Sequence, residues 1–285
     1  MRRQEVADVM DAESLKRRLP DSAVRDLGEW LVGVGARCAA GAGTHAVDYV
    51  PAHWSGIEPW PDRLLDRSHA QPVALSRTRV AEAVREATEH AEWSEALVAP
   101  YVWGQGRNGY GPHRLKEILA QPSTADALNR AGIALRSEGA VAAYRALHGA
   151  VKGLGPAFFT KFLYFLDLAT DAPHTPRALI LDQRVARVMR DHASRVGTDI
   201  GLTSAPAVAT WIWSDGGWTP HRYEVYLRWM TAAADQLASA GIGWPRSSPD
   251  LLELAVFNGV WKPAGSWSPD GSGVRHGGRV RRRHG

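Results

Sequence analysis

The spacing of apolar residues constrains the fold most, and it is helical almost from end to end. Residues 22–37 carry Val24, Leu27 and Leu31 on one stripe, and 76–103 keep the same period from SRTRVAEAVREATEHAE through WSEALVAPYVW. Helix starts are written in the same places. Pro112 stands where a first helical residue belongs in PHRLKEILAQ, and Thr219-Pro220 and Ser248-Pro249 each join a cap to such a proline. Asn258-Gly259 then stops the run LLELAVF. Residues 123–147 predict one or two helices, with breaks allowed near Gly132 and Gly139. Strand-like pieces are confined to 46–50. The expected fold class is all-α.

A chain of 285 residues can bury one large core or two smaller lobes around a cleft. No apolar run is long enough to span a bilayer, and MRRQEVADVMDAESLKRRLP lacks the apolar centre of a signal peptide. The expectation is a cytoplasmic monomer with no membrane partner. The single cysteine, Cys38, excludes an intrachain disulfide and a four-cysteine iron–sulfur cluster. His45, His53, His174, His192 and His221 show no ligand spacing, so no metal site and no cofactor cluster is expected. Net charge is +4, but the terminal RHGGRVRRRHG holds five arginines and no acid, leaving the remainder at about −1. Affinity for phosphate must therefore come from a local patch and from this tail rather than from global charge.

Residues 151–189, VKGLGPAFFTKFLYFLDLATDAPHTPRALILDQRVARVM, carry the chemistry. Gly153-Leu154-Gly155 is a tight turn whose uncovered amides, at the start of a helix, suit a phosphate oxygen, with a monovalent cation as a bridge. Val151 and Leu154 can anchor the turn, Pro156 presets the helix, and Lys152 adds a charge beside it. Lysine is scarce, with five against twenty-nine arginines, yet Lys161 lies among Phe158, Phe159, Phe162, Tyr164 and Phe165. Such a setting lowers a lysine pKa and frees the neutral amine that a nucleophile needs, a role closed to arginine. The plainer reading is a lysine whose stem covers a helix edge. Asp182, in ALILDQRVARV, is read as an N-cap. At the mouth of a cleft its carboxylate could also steady a cationic sugar or take a proton.

This order of Gly-x-Gly, apolar helix, lysine and Asp-x-x-Val resembles the helix-hairpin-helix DNA glycosylase superfamily, and within it the 8-oxoguanine DNA glycosylases. The resemblance implies a two-lobed helical fold acting on double-stranded DNA with a damaged base. It assigns Lys161 to attack on the sugar C1′ through a Schiff base, Asp182 to the essential carboxylate, and allows an AP-lyase step. The lysine commonly sits four residues after the first hairpin glycine, where this chain has Ala157. Lys161 is one turn later, about 6 Å along the axis. The archaeal 8-oxoguanine glycosylase branch, with its lysine deeper in an apolar helix, is then the nearer relative. The implied organisation is a helical and irregular N-terminal extension over 1–70, a glycosylase core over 71–261 and a disordered basic tail over 262–285. Within the extension, 41–66 reads as an ordered irregular loop packed by its tryptophans.

A glycosylase must also hold an extruded base. The segment YVWGQGRNGYGPHR offers Trp103, Gln105, Arg107, Asn108 and Tyr110 in a Gly-rich loop after a helix. Trp103 and Gln105 are assigned to the base, and Arg107 and Asn108 to DNA with Lys152, Gly153, Leu154 and Gly155. Phe257 is assigned to stack on the base, by analogy with the C-terminal helix of 8-oxoguanine enzymes. Two alternatives stand beside this reading. One is a monofunctional glycosylase for alkylated or mismatched bases, with Asp182 activating water. The other is a non-catalytic helix-hairpin-helix DNA-binding protein.

Overall fold

The computed structural model describes residues 2–107, 109–170 and 174–263. Asn108 and nearly all of the proposed tail lie outside the described residues. The helices are α1 (Arg3–Lys16), α2 (Asp21–Val32), α3 (Arg77–Glu89), α4 (Trp93–Gln105), α5 (Gly111–Leu119), α6 (Thr124–Glu138) and α7 (Ala140–Leu147). They continue as α8 (Pro156–Leu168), α9 (Gln183–Asp199), α10 (Ala205–Ile212), α11 (Pro220–Ser239) and α12 (Pro249–Phe257). The expected all-α architecture is what the chain adopts. The described strands are β1 (Ala46–Tyr49) and β2 (Val73–Ser76), an antiparallel ribbon with Ala46 opposite Ser76 and Tyr49 opposite Val73. β1 matches the short piece expected near 46–50, whereas β2 has too little alternation to announce itself.

α8 is the central element. Every residue from Phe159 to Asp167 is buried, and the helix packs against α3, α4, α6 and α7. A helix apolar on all sides must lie inside the core, and PAFFTKFLYFLDL is such a sequence. The surrounding core is continuous, reaching from Val6 on α1 to Trp261 beyond α12. α1 is tied down by Asp11, which receives a hydrogen bond from buried Arg222 Nη1 on α11 at 2.6 Å.

Several boundaries differ from the sequence reading. Residues 76–103 form two helices, parted at Ala91, which takes a φ of +60°. Trp103 and Gln105 belong to the last turn of α4 rather than to the loop after it. The helix runs on until Gly106, whose φ of +62° lets its amide close on Val102 O at 2.9 Å. Between α6 and α7 the break falls at Gly139, φ +92°, while Gly132 stays helical. At Gly132 a side chain is excluded because a Cβ would lie 2.5 Å from the Trp93 ring. In 41–66 the irregular loop is packed, as expected, with Trp54 buried in the core.

Two connections position the site. The turn over residues 148–155 joins α7 to α8, with Gly153 at φ +84° and Val151 and Leu154 buried beneath it. Gln121 grips this turn from both sides: its amide nitrogen donates to Lys152 O at 2.9 Å and its oxygen accepts from Lys152 N at 3.1 Å. The second connection is the extended segment Ala178-Leu179-Ile180-Leu181, fully buried and outside any strand. Its polar groups are met by side chains instead. Asp167 accepts from Ala178 N, Tyr223 hydroxyl accepts from Leu179 N and donates to Leu179 O, and Tyr226 donates to Ile180 O. Thr160 accepts from Leu181 N at 3.2 Å. The next residue is Asp182.

Candidate active site

α8 and this buried segment deliver Lys161 and Asp182 to the same pocket, walled also by the end of α4, by α12 and by the ribbon side of the molecule. Its lining includes Trp103, Gln105, Lys161, Asp182 and Phe257, together with His45, Val47, Arg77 and Glu253. The pocket measures about 160 Å³, close to the roughly 150 Å³ cavity that accommodates one aromatic ring.

Lys161 is only 8% exposed, its Nζ donates to Ala157 O at 2.5 Å, and it lies 5.4 Å from the Phe158 ring centre. Burial drives its pKa down, against the opposing pull of Asp182 and Glu253. Room for its stem exists only because residue 104 is glycine: a Cβ there would fall 2.5 Å from Lys161 Cδ. Asp182 is the N-cap of α9, as its sequence suggested, with Oδ1 accepting from Val185 N at 3.0 Å. Asp182 also lines the pocket.

The aromatic walls are fixed from behind. Trp103 meets His45 and Phe165 edge-on at 5.5 and 5.2 Å, and among the described residues its Nε1 has no hydrogen-bond partner. Phe257 is half-buried at the end of α12, with the Arg184 guanidinium 4.8 Å from its ring centre. Gln105 reaches the rim through a notch at Gly111, where a Cβ would lie 2.2 Å from Gln105 Cγ.

The pocket lining also holds a buried ionisable pair that the sequence reading did not single out. Arg77, at the start of α3, and Glu253, on α12, are each 1% exposed, with Arg77 Nη1 2.9 Å from Glu253 Oε2. Arg77 also donates to Tyr164 OH at 3.1 Å and to His45 Nδ1 at 3.4 Å, and stands 5.3 Å from the Trp103 ring centre. Burial, with Arg77 second, holds His45 down at about 4, so it is a neutral acceptor near neutral pH. A signal for Glu253 was present: it is the one charged residue inside the apolar run LLELAVF. Arg77, in an arginine-rich segment, gave none.

The hairpin residues form a separate feature. Lys152 and Gly153 line a groove of about 480 Å³ with Arg114, Glu117, Ile118 and Gln121. Leu154 is buried as its anchor and Gly155 caps α8. The groove and the pocket are linked by α8, since Lys161 is six residues beyond Gly155, about 9 Å along a helix. Arg107 is exposed beside the pocket rim and is not part of its lining.

A protein-family model described as "Putative 8-oxoguanine DNA glycosylase OGG-like protein" matches residues 40–257, well over half of the chain. The chain belongs to that family. No curated protein and no solved structure matches it. The OGG-like assignment agrees with the glycosylase resemblance but lends nothing to the archaeal branch. It makes DNA the partner and base excision the chemistry of the family. The matched span of this OGG-like chain begins at residue 40, so it takes in His45 and Val47, which lie in the segment first read as an N-terminal extension. Among the described residues no helix is long and apolar enough to cross a membrane.

Proposed function

We propose that this OGG-like chain excises an oxidised purine, 8-oxoguanine first, from double-stranded DNA through a Lys161 Schiff base. The observation that carries the reading is a buried lysine with a lowered pKa, sharing one pocket with a capping aspartate. The groove at the hairpin, lined by Lys152, Gly153 and Arg114, suits the DNA backbone on one side of the lesion. The extruded nucleotide enters with its base against Phe257 and Trp103. Gln105 stands at the rim, where the vacated stack needs filling.

Neutral Lys161 attacks C1′ as the glycosidic bond opens. Asp182 stabilises the positive charge growing on the sugar and accepts a proton from the amine. The resulting iminium permits β-elimination and hence strand cleavage. Arginine in place of Lys161 would stay protonated and could not begin this sequence.

The displaced lysine keeps a second reading alive, in which Asp182 activates water and Lys161 only packs. Single-turnover excision on a panel of lesion-bearing duplexes separates the two. The Schiff-base reading predicts that Lys161→Ala and Asp182→Asn each lower excision at least about 10³-fold. Excision that survives Lys161→Ala and is lost only in Asp182→Asn supports the water mechanism.

A further inference from the structure

Glu253 is the least expected residue in the pocket. Its neighbours on α12, Leu251, Leu252, Leu254, Ala255 and Val256, are all buried and apolar, and Glu253 is itself 1% exposed. Carboxyl groups are rarely buried this far unless fully paired. Glu253 has one charged neighbour, Arg77, whose Nη1 lies 2.9 Å from its Oε2 and also donates to Tyr164 OH. The position makes sense if a ligand completes it. Glu253 is one helical turn before Phe257, on the same face of α12, and both line the pocket. A base stacked on Phe257 therefore meets the Glu253 carboxyl at its edge.

We propose that Glu253 is the general acid of base excision, donating its carboxyl proton to the departing base, and that Arg77 is its positioning residue. This rests on the glycosylase reading of the same pocket. In the step, the C1′–N bond breaks and its electron pair stays with the base, which takes the Glu253 proton. The Lys161 lone pair forms the new bond to C1′, and the amine proton passes to the Asp182 carboxylate. Glu253, now a carboxylate, is stabilised by Arg77 and regains a proton from water once the base has left. Arg77 can serve this because its guanidinium is fixed by Tyr164, His45 and the Trp103 ring before the reaction begins.

The electrostatics agree. Burial raises the Glu253 carboxyl to about 7, overcoming Arg77, with Asp182 and Asp250 adding to the rise. The other titratable groups facing it are Lys161 and Tyr164 from α8 and Tyr226 from α11. Both tyrosines are held neutral by burial, with pKa values above the ordinary phenol range.

The test compares two substrates, an 8-oxoguanine duplex and an abasic duplex that has no base to protonate. Glu253→Gln is expected to slow excision about 10²-fold more than it slows borohydride trapping on the abasic duplex. Equal loss on both, or no loss on the lesion, overturns the proposal. A wild type that excises without trapping on either substrate instead overturns the lysine reading on which it rests. Because the variant leaves Arg77 facing an amide, the wild-type pH profile gives a check without substitution. Both steps need neutral Lys161 and only excision needs the acid form of Glu253, so the ratio of excision to abasic trapping should fall as pH rises through about 7. A ratio that holds level or rises through that pH contradicts the proposal.

Discussion

Gly104 and Lys161 share one volume, and the lysine has it. Alanine at 104 would bring its Cβ to 2.5 Å from Lys161 Cδ and 3.0 Å from Cε, so the stem must swing away from the pocket. Within a helix the same change is favourable by about 1 kcal/mol. Gly104→Ala is therefore expected to keep the melting temperature within a few degrees while slowing adduct formation about 10²-fold, the cost of a misplacement of about 1 Å. Thermal melts and trapping time courses read the two effects separately; parallel losses would mean that the glycine serves packing alone. Lys161 could be singled out from the sequence because lysine is scarce and this one stands among aromatics. Its dependence on Gly104 could not, because nothing local in YVWGQG marks a glycine as clearance for a distant side chain. The same holds for Arg77, whose partners His45, Tyr164 and Glu253 come from three separate stretches of chain.

The segment Ala178–Leu181 with the first turn of α9 shows how an element places a carboxylate. Side chains of α8 and α11 satisfy the segment's backbone, and Asp182 closes the first turn of α9 by accepting from Val185 N. The cap and the proposed chemistry use one side chain but ask different things of it. Asparagine caps a helix about as well as aspartate, whereas alanine costs about 1 kcal/mol. Asp182→Asn should accordingly melt close to wild type and Asp182→Ala earlier, with excision lost in both. Retained excision in Asp182→Asn would leave the residue as a cap only. Caps and stops of this kind were legible: Thr219-Pro220, Asn258-Gly259 and Asp182 all stand where the sequence put them. What the periodicity could not show was the break at Ala91, which needs a positive φ at a residue without a turn signature. Nor could it show the four-residue β2, which is defined by pairing with β1 rather than by its own pattern.

Across the whole molecule, a single core joins α1 to the pocket walls, and the all-α class followed from apolar spacing alone. The pocket was half legible. Lys161 and Asp182 stood out in their local sequence, the glycosylase resemblance gave roles to them and to Trp103, Gln105 and Phe257, and the fold brings all five to one cavity. The pair formed by Arg77 and Glu253 emerges only when the start of α3 and the side chain from α12 meet at that cavity. This reading of the pocket stands on covalent chemistry at Lys161. The direct measurement is borohydride trapping of the full chain on an 8-oxoguanine duplex, followed by digestion and mass mapping of the cross-linked peptide. The account predicts one adduct, on Lys161, absent in Lys161→Ala. Excision of the base without any adduct, or an adduct carried by another residue, would contradict it.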